Sequence, residues 1–188
     1  MIEITQTEGW FETFHFPTAA ISKEKHRRNL QYLLVKEDAV IATDGRRLHI
    51  AHSRHPVEPG FYEVVKRTKS KVIIVKSNSD ISYPKYENVI PHHQNIIIDY
   101  NRDYYIAESV MCVLGKVNIM LEYAFLQPLA EIDTNWTIYY GNPDQPVRFI
   151  TPYNSYTKRW LEAVIMPIDN NLAQAQFITK AQHKRSIA

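Results

Sequence analysis

Cysteine is nearly missing from this chain. The single Cys112 excludes an internal disulfide, and its neighbours Val110, Met111, Val113 and Leu114 mark it as a small buried residue. Glycine is scarce too: 5 stand in 188 residues against 12 tyrosines and 7 phenylalanines, which favours aromatic-rich sheet over flexible linker. No apolar run approaches the ~20 residues that a membrane-crossing helix needs. The opening Met1-Ile2-Glu3-Ile4-Thr5-Gln6-Thr7-Glu8 is acidic and alternating, unlike a signal or transit peptide, so the cytoplasm is the expected compartment. Also missing are a Gly-rich phosphate loop, paired-cysteine zinc spacing and a Gly-x-Ser-x-Gly elbow. The expectation is a non-enzymatic protein with no cofactor and no catalytic residue.

What remains for catalysis is thin. His49, His52 and His55, with His92 and His93, are the best metal candidates. On one strand, however, His49 and His52 point to opposite faces, and no carboxylates stand ready to orient them. Asp44 would serve as a general base, but an aspartate in a Thr-Asp-Gly turn bonds its own backbone. A metal-dependent hydrolase stays as the lesser alternative.

Charge is low, +2 overall, and unevenly spread. Residues 1–91 carry 14 Lys/Arg against 11 Asp/Glu, whereas residues 92–188 carry 8 against 9. Two basic groups lie in the first part: Lys23, Lys25, Arg27 and Arg28, and Lys66, Arg67, Lys69 and Lys71. Such groups suit phosphate contact, so these eight are the candidate DNA contacts, although solvated loop lysines are the commoner explanation of such runs.

The length suits one ordinary domain or two small ones. Residues 1–5 read as a strand. Residues 8–21 have helical spacing through Trp10 and Phe14, broken by Pro17. Strands follow at 30–35, 39–43 and 47–52, the last two joined by Asp44-Gly45, a strong hairpin signal. Residues 61–66 and 72–76 pair across the second basic group. Tyr83-Pro84-Lys85-Tyr86-Glu87-Asn88-Val89-Ile90-Pro91, bracketed by prolines, reads as a connector. Strand patterns resume at 96–98 and 104–114. A helix is predicted over 121–132, interrupted by Pro128, then strands at 136–140, 147–150 and 159–165. Strand, helix and three strands thus open and close the chain. The fold class is α+β, antiparallel sheets with one helix per module: residues 1–91, residues 92–168, and a polar, flexible tail at 169–188.

Ala42-Thr43-Asp44-Gly45-Arg46-Arg47-Leu48 resembles the Ala-Thr-Asp-Gly-His-Arg-Leu signature of the bacterial sliding clamp, the beta subunit of DNA polymerase III. The connector is similar to the clamp's Phe-Pro-Asp-Tyr-x-x-Val-x-Pro, and Val164-Ile165-Met166-Pro167-Ile168 to its terminal Val-Val-Met-Pro-Met. Ile21-Ser22-Lys23-Glu24-Lys25 and residues 117–132 resemble further parts, all in the family's order. The resemblance implies a DNA-clamp fold and a role in replication or repair.

It also implies a site. In that family the turn, the connector and the terminal Met-Pro line one apolar pocket, which takes short Gln/Leu/Phe peptides of polymerases and repair proteins. Carried over, the pocket is Thr43, Gly45, Arg46, Arg47, Leu48, Pro84, Val89, Met166 and Pro167. Duplex DNA is the second implied partner, with no membrane. The chain departs from the family in having two modules where a clamp subunit has three domains, and Arg46 in place of histidine. Six modules close the family's ring, so two per chain would require a trimer, and the sequence leaves trimer, dimer and monomer open. One clamp domain, 1–52 with 115–168, carrying a long insertion is the alternative parse. A peptide-binding adaptor that never touches DNA is the alternative function. Gln174-Ala175-Gln176-Phe177 faintly resembles the peptide itself.

Overall fold

The structure, a computed structural model, describes residues 1–92, 95–100 (backbone only), 110–111, 114–132 and 135–168. Cys112, His93 and the tail at 169–188, with its Gln174-Phe177 motif, lie outside the described residues. Ten strands among them form one sheet: β1 (Ile2–Thr5), β2 (Tyr32–Val35), β3 (Ala39–Thr43), β4 (Arg47–His52), β5 (Gly60–Thr68), β6 (Lys71–Lys76), β7 (Asn95–Tyr100), β8 (Trp136–Tyr140), β9 (Val147–Ile150) and β10 (Trp160–Ile165). The order across the sheet is β1-β6-β5-β2-β3-β4-β10-β9-β8-β7, and each pairing is antiparallel. Two helices have described bounds, α1 (Phe11–Thr18) and α2 (Tyr123–Ala130). This is the α+β, antiparallel architecture that the patterns predict.

The two halves of the chain meet where β4 pairs with β10, from Trp160 opposite His52 to Ile165 opposite Arg47. One face of the sheet carries the helices. There Phe11 and Phe14 pack with Ile4, Leu33, Val40 and Ile74, while Phe16 joins Leu114, Leu126, Leu129, Trp136 and Phe149. α1 therefore contributes to the cores of both halves. The other face carries Ala39, Ile41, Leu48, Ile50 and Val164, covered by Tyr83, Tyr86 and Ile90 of the connector. All five residues of β3 are buried, as a run of Ala39-Val40-Ile41-Ala42-Thr43 demands when both faces are covered.

Three local readings are corrected. α1 is shorter than the predicted 8–21: it ends at Thr18, one residue past Pro17, which has no N–H to give to the turn before it. The hairpin centre is Gly45-Arg46, not Asp44-Gly45. Asp44 N donates to Arg47 O at 3.3 Å, which leaves Gly45 and Arg46 at the tip, with Gly45 at a positive φ of +87°. Residues 110, 111, 114 and 115 are helical where alternation over 104–114 predicts a strand. Val110 and Leu114 are four apart and both buried, so the helical period governs an apolar run short enough to read either way.

Candidate functional site

The Asp44 turn is built by its own side chains. Thr43 Oγ1 donates to Arg47 O at 2.7 Å and accepts from Gly45 N at 3.1 Å. Asp44 Oδ1 accepts from the amides of Arg46 and Arg47, both at 3.0 Å, as an aspartate in such a turn is expected to do. Arg47 is committed to the fold: Nε donates to Asp44 Oδ2 at 3.0 Å, one Nη donates to Ala19 O, and the guanidinium lies 4.5 Å over the Phe125 ring. Arg46 points out to solvent, its nearest carboxylate Glu122 at 3.9 Å. The turn's outer surface thus offers one largely unengaged cation beside a glycine.

The end of β10 is tied to this turn. Met166 N donates to Arg46 O at 2.9 Å, and the register sets Val164 opposite Leu48. Met166 itself is 39% exposed, with Pro167 half-buried beside it. Leu48 is only 2% exposed, within the apolar cluster that Tyr83, Tyr86 and Ile90 cover. Pro84 and Val89 alternate with those inward side chains and face out, Val89 at 47% exposure. Lys36 holds the middle of the connector, donating to Tyr86 Oη at 2.6 Å and pairing with Glu87 at 3.3 Å.

Of the nine predicted pocket residues, then, Thr43, Gly45, Arg46 and Arg47 form one turn with Met166 hydrogen-bonded to it. Leu48 lies beneath the connector that carries Pro84 and Val89, and is not an accessible floor. The sequence reading missed Tyr83. Its hydroxyl is buried without a hydrogen-bond partner, and burial pushes the phenol well above its usual range, with the Thr43 backbone opposing. The available signal was two tyrosines three apart, Tyr83 and Tyr86, in the connector.

The basic groups are distributed as follows. Lys23, Lys25, Arg27 and Arg28 lie in the loop between α1 and β2, where Arg27 donates to Asp44 O at 2.8 Å. Lys66 and Arg67 end β5, Lys69 is in the turn and Lys71 starts β6; Arg67 pairs with Glu131 at 3.5 Å and Lys71 with Glu3. Lys69 also lines a cleft of about 540 Å³ on the helix face, beside Glu12, His15, Glu131 and Arg159.

Two of the candidate histidines lie in packed ring stacks. His49 is fully buried and stacked 4.4 Å from Phe16, while His52 is stacked 3.5 Å from Trp160 on the opposite face. Burial, aided by Arg47, lowers the His49 pKa to about 3, leaving a neutral ring whose Nδ1 faces Phe16 O at 3.2 Å. Among the described residues no group of three His, Cys, Asp or Glu is placed to hold a metal, and no helix is long and apolar enough to cross a membrane.

This is the fold of the bacterial sliding clamps. The chain is similar to the H. pylori beta clamp at 12% identity and a TM-score of 0.58, over 84% of this chain and 63% of that one. It is similar to the DNA polymerase III beta chain of Streptococcus pneumoniae at 11% and 0.56, over 90% and 64%. The Pseudomonas aeruginosa sliding clamp matches at 12% and 0.53, over 89% and 65%. The match spans less than two thirds of each of those clamps. Diflunisal is bound in the H. pylori structure and griselimycin in the P. aeruginosa one. No family model matches the sequence, and no curated protein does. At such identities the likeness speaks for the fold.

Proposed function

We propose that this chain is a non-enzymatic, clamp-like accessory protein of DNA replication or repair that docks short Gln/Leu/Phe peptides of its partners. The Met166–Arg46 hydrogen bond carries the reading. It joins the Asp44 turn to the end of β10, while the connector crosses the face behind them, so three segments far apart in sequence converge. Val89 and Met166 put exposed apolar side chains on two of those segments. Two clamps of this fold are known with bound molecules, diflunisal and griselimycin, which supports a ligand-taking surface on the architecture.

The test is a titration of a labelled peptide of the Gln…Leu-Phe pattern. Each well-buried apolar side chain contributes about 1.5–3 kcal/mol before ordering costs, so micromolar affinity is expected. Val89→Asp and Met166→Asp, both at exposed positions, should weaken it at least about ten-fold with the fold intact. Absence of binding, or binding that both variants leave unchanged, removes the reading.

The adaptor that does not hold duplex DNA has one observation in its favour. Neither α1 nor α2 contains a lysine or arginine, so these two helices bring no cation for phosphates. Lys66 and Lys69 of the β5–β6 hairpin are the remaining candidates near that face. Duplex binding at low salt that Lys66→Glu with Lys69→Glu abolishes would restore the DNA-holding version.

A further inference from the structure

The loop at 22–31 bridges two parts of the candidate docking site. At one point Arg27 Nη1 donates to Asp44 O, close enough to Gly45 that a Cβ there would lie 2.6 Å from it. At another, Asn29 Nδ2 donates to Ser82 O at 3.3 Å, at the start of the connector and two residues from Pro84. Ser22 N to Leu30 O at 3.0 Å and Gln31 Nε2 to Glu24 O at 3.0 Å close the loop on itself. The first basic group is therefore fixed beside the turn and the connector.

Its charge is not neutralised there. Arg27 takes Glu24 at 2.8 Å, and Arg47 takes Asp44. Lys23, Lys25 and Arg28 are exposed and have no carboxylate partner among the described residues, and Arg46 only grazes Glu122. Six cations thus face three carboxylates at one corner of the sheet. An apolar peptide end docking on Val89 and Met166 would run its neighbouring residues past that corner.

We propose that the partner peptide is acidic, with aspartate or glutamate flanking its apolar anchors to meet Lys23, Lys25, Arg28 and Arg46. This rests on the peptide-docking reading. Charge complementarity fixes the chemistry, and the loop's anchoring on turn and connector favours a peptide over a duplex, which would need these cations set along a groove.

Fluorescence anisotropy on the full chain tests it with two labelled peptides that share the anchors, one flanked by Asp/Glu and one by Ser/Gln. Exposed pairs are individually weak, so three or four together should make the acidic peptide bind about ten-fold tighter at about 0.05 M salt. The advantage should vanish near 0.5 M salt, where screening acts within about 4 Å. The combined variant Lys23→Glu, Lys25→Glu and Arg28→Glu should remove it while the neutral peptide keeps its affinity. Equal binding of the two peptides by the wild type overturns the proposal and leaves docking standing. An advantage that survives charge reversal overturns it too. Displacement of the acidic peptide by duplex DNA, with DNA binding lost in the variant, would reassign the cluster to phosphate. Failure of both peptides to bind ends the docking reading, and this proposal with it.

Discussion

The Tyr83 hydroxyl has been taken out of water without a well-formed hydrogen bond in return; the Thr43 backbone is near enough to oppose the rise in its pKa but is not placed to pair with it. A buried unsatisfied hydroxyl costs about 1–3 kcal/mol, whereas its ring gains by packing on the Leu48 cluster and 5.9 Å from Phe61. Tyr83→Phe should therefore stabilise the chain by about 1 kcal/mol, read as a raised urea midpoint with unchanged slope. A loss of stability would mean that the hydroxyl has a partner in solution. Leu48 teaches the opposite lesson. Its resemblance to a pocket residue is plain in the sequence, but its 2% exposure under the connector makes it a core position. Leu48→Asp should cost about 3 kcal/mol or more by burying an unpaired carboxylate, and so unfolds the chain before it reports on any ligand. Gly45→Ala meets φ +87° and the Arg27 guanidinium together. About 1–2 kcal/mol of stability should go with it, and the freed Arg27 loop should lose part of its preference for the acidic peptide.

At the scale of the element, α1 carries the main pH dependence. Through Phe16 it stacks on His49, and its own His15 is stacked 4.8 Å from Phe11. Burial lowers the pKa of His49 to about 3 and moves those of His15 and His55 downward. Protons therefore bind the unfolded chain first. The stability that the neutral His49 ring lends is intact above about pH 6.5 and drains away as pH falls toward 3, by at most about 1.4 kcal/mol per pH unit, and His15 and His55 add to the decline in the same direction. Urea midpoints between pH 7 and 4.5 should show that decline, and His49→Gln should flatten it. A profile that stays level until the carboxylates titrate would count against the assignment. Most strands were legible because alternation, Asp-Gly and proline are local signals that backbone sterics enforce. The helical residues near 110 were not, since a short apolar run suits either period. The turn, the connector and the Met-Pro end could be named from resemblance. The connector lying on Leu48, and the loop at 22–31 meeting both turn and connector, depend on contacts between distant segments that no local pattern encodes.

As a whole molecule the chain is one sheet whose halves are laced together. Beyond the β4–β10 ladder, Glu12 pairs with Arg159, Arg67 with Glu131, and the buried Glu162 with Arg148 at 2.6 Å and His52 at 3.2 Å. Burial opposes the charge on Glu162, but those two donors outweigh it and hold the carboxyl below its usual range. A single cooperative transition is expected in calorimetry, with equal calorimetric and van't Hoff enthalpies, and two resolved transitions would contradict the lacing. Among the described residues β1 and β7 are the outermost strands of the sheet, and a ring of three copies could form by pairing such edges. β1 spans four residues and Glu3 reaches across to Lys71, so its edge is short and charged. Light scattering should give one chain of 22.0 kDa; a stable species of three times that mass would put encirclement of DNA first.

Phe16 belongs in sequence to one half and packs against both, 4.4 Å from His49 and 5.8 Å from Trp136. The halves are therefore not interchangeable parts. A chimera that takes residues 1–91 from one relative and the remainder from another would bring a phenylalanine to a socket shaped for a different ring, and a substitution at Trp136 would call for an answering one at Phe16. Evolution can vary the strands of either half separately; it must move this pair in step.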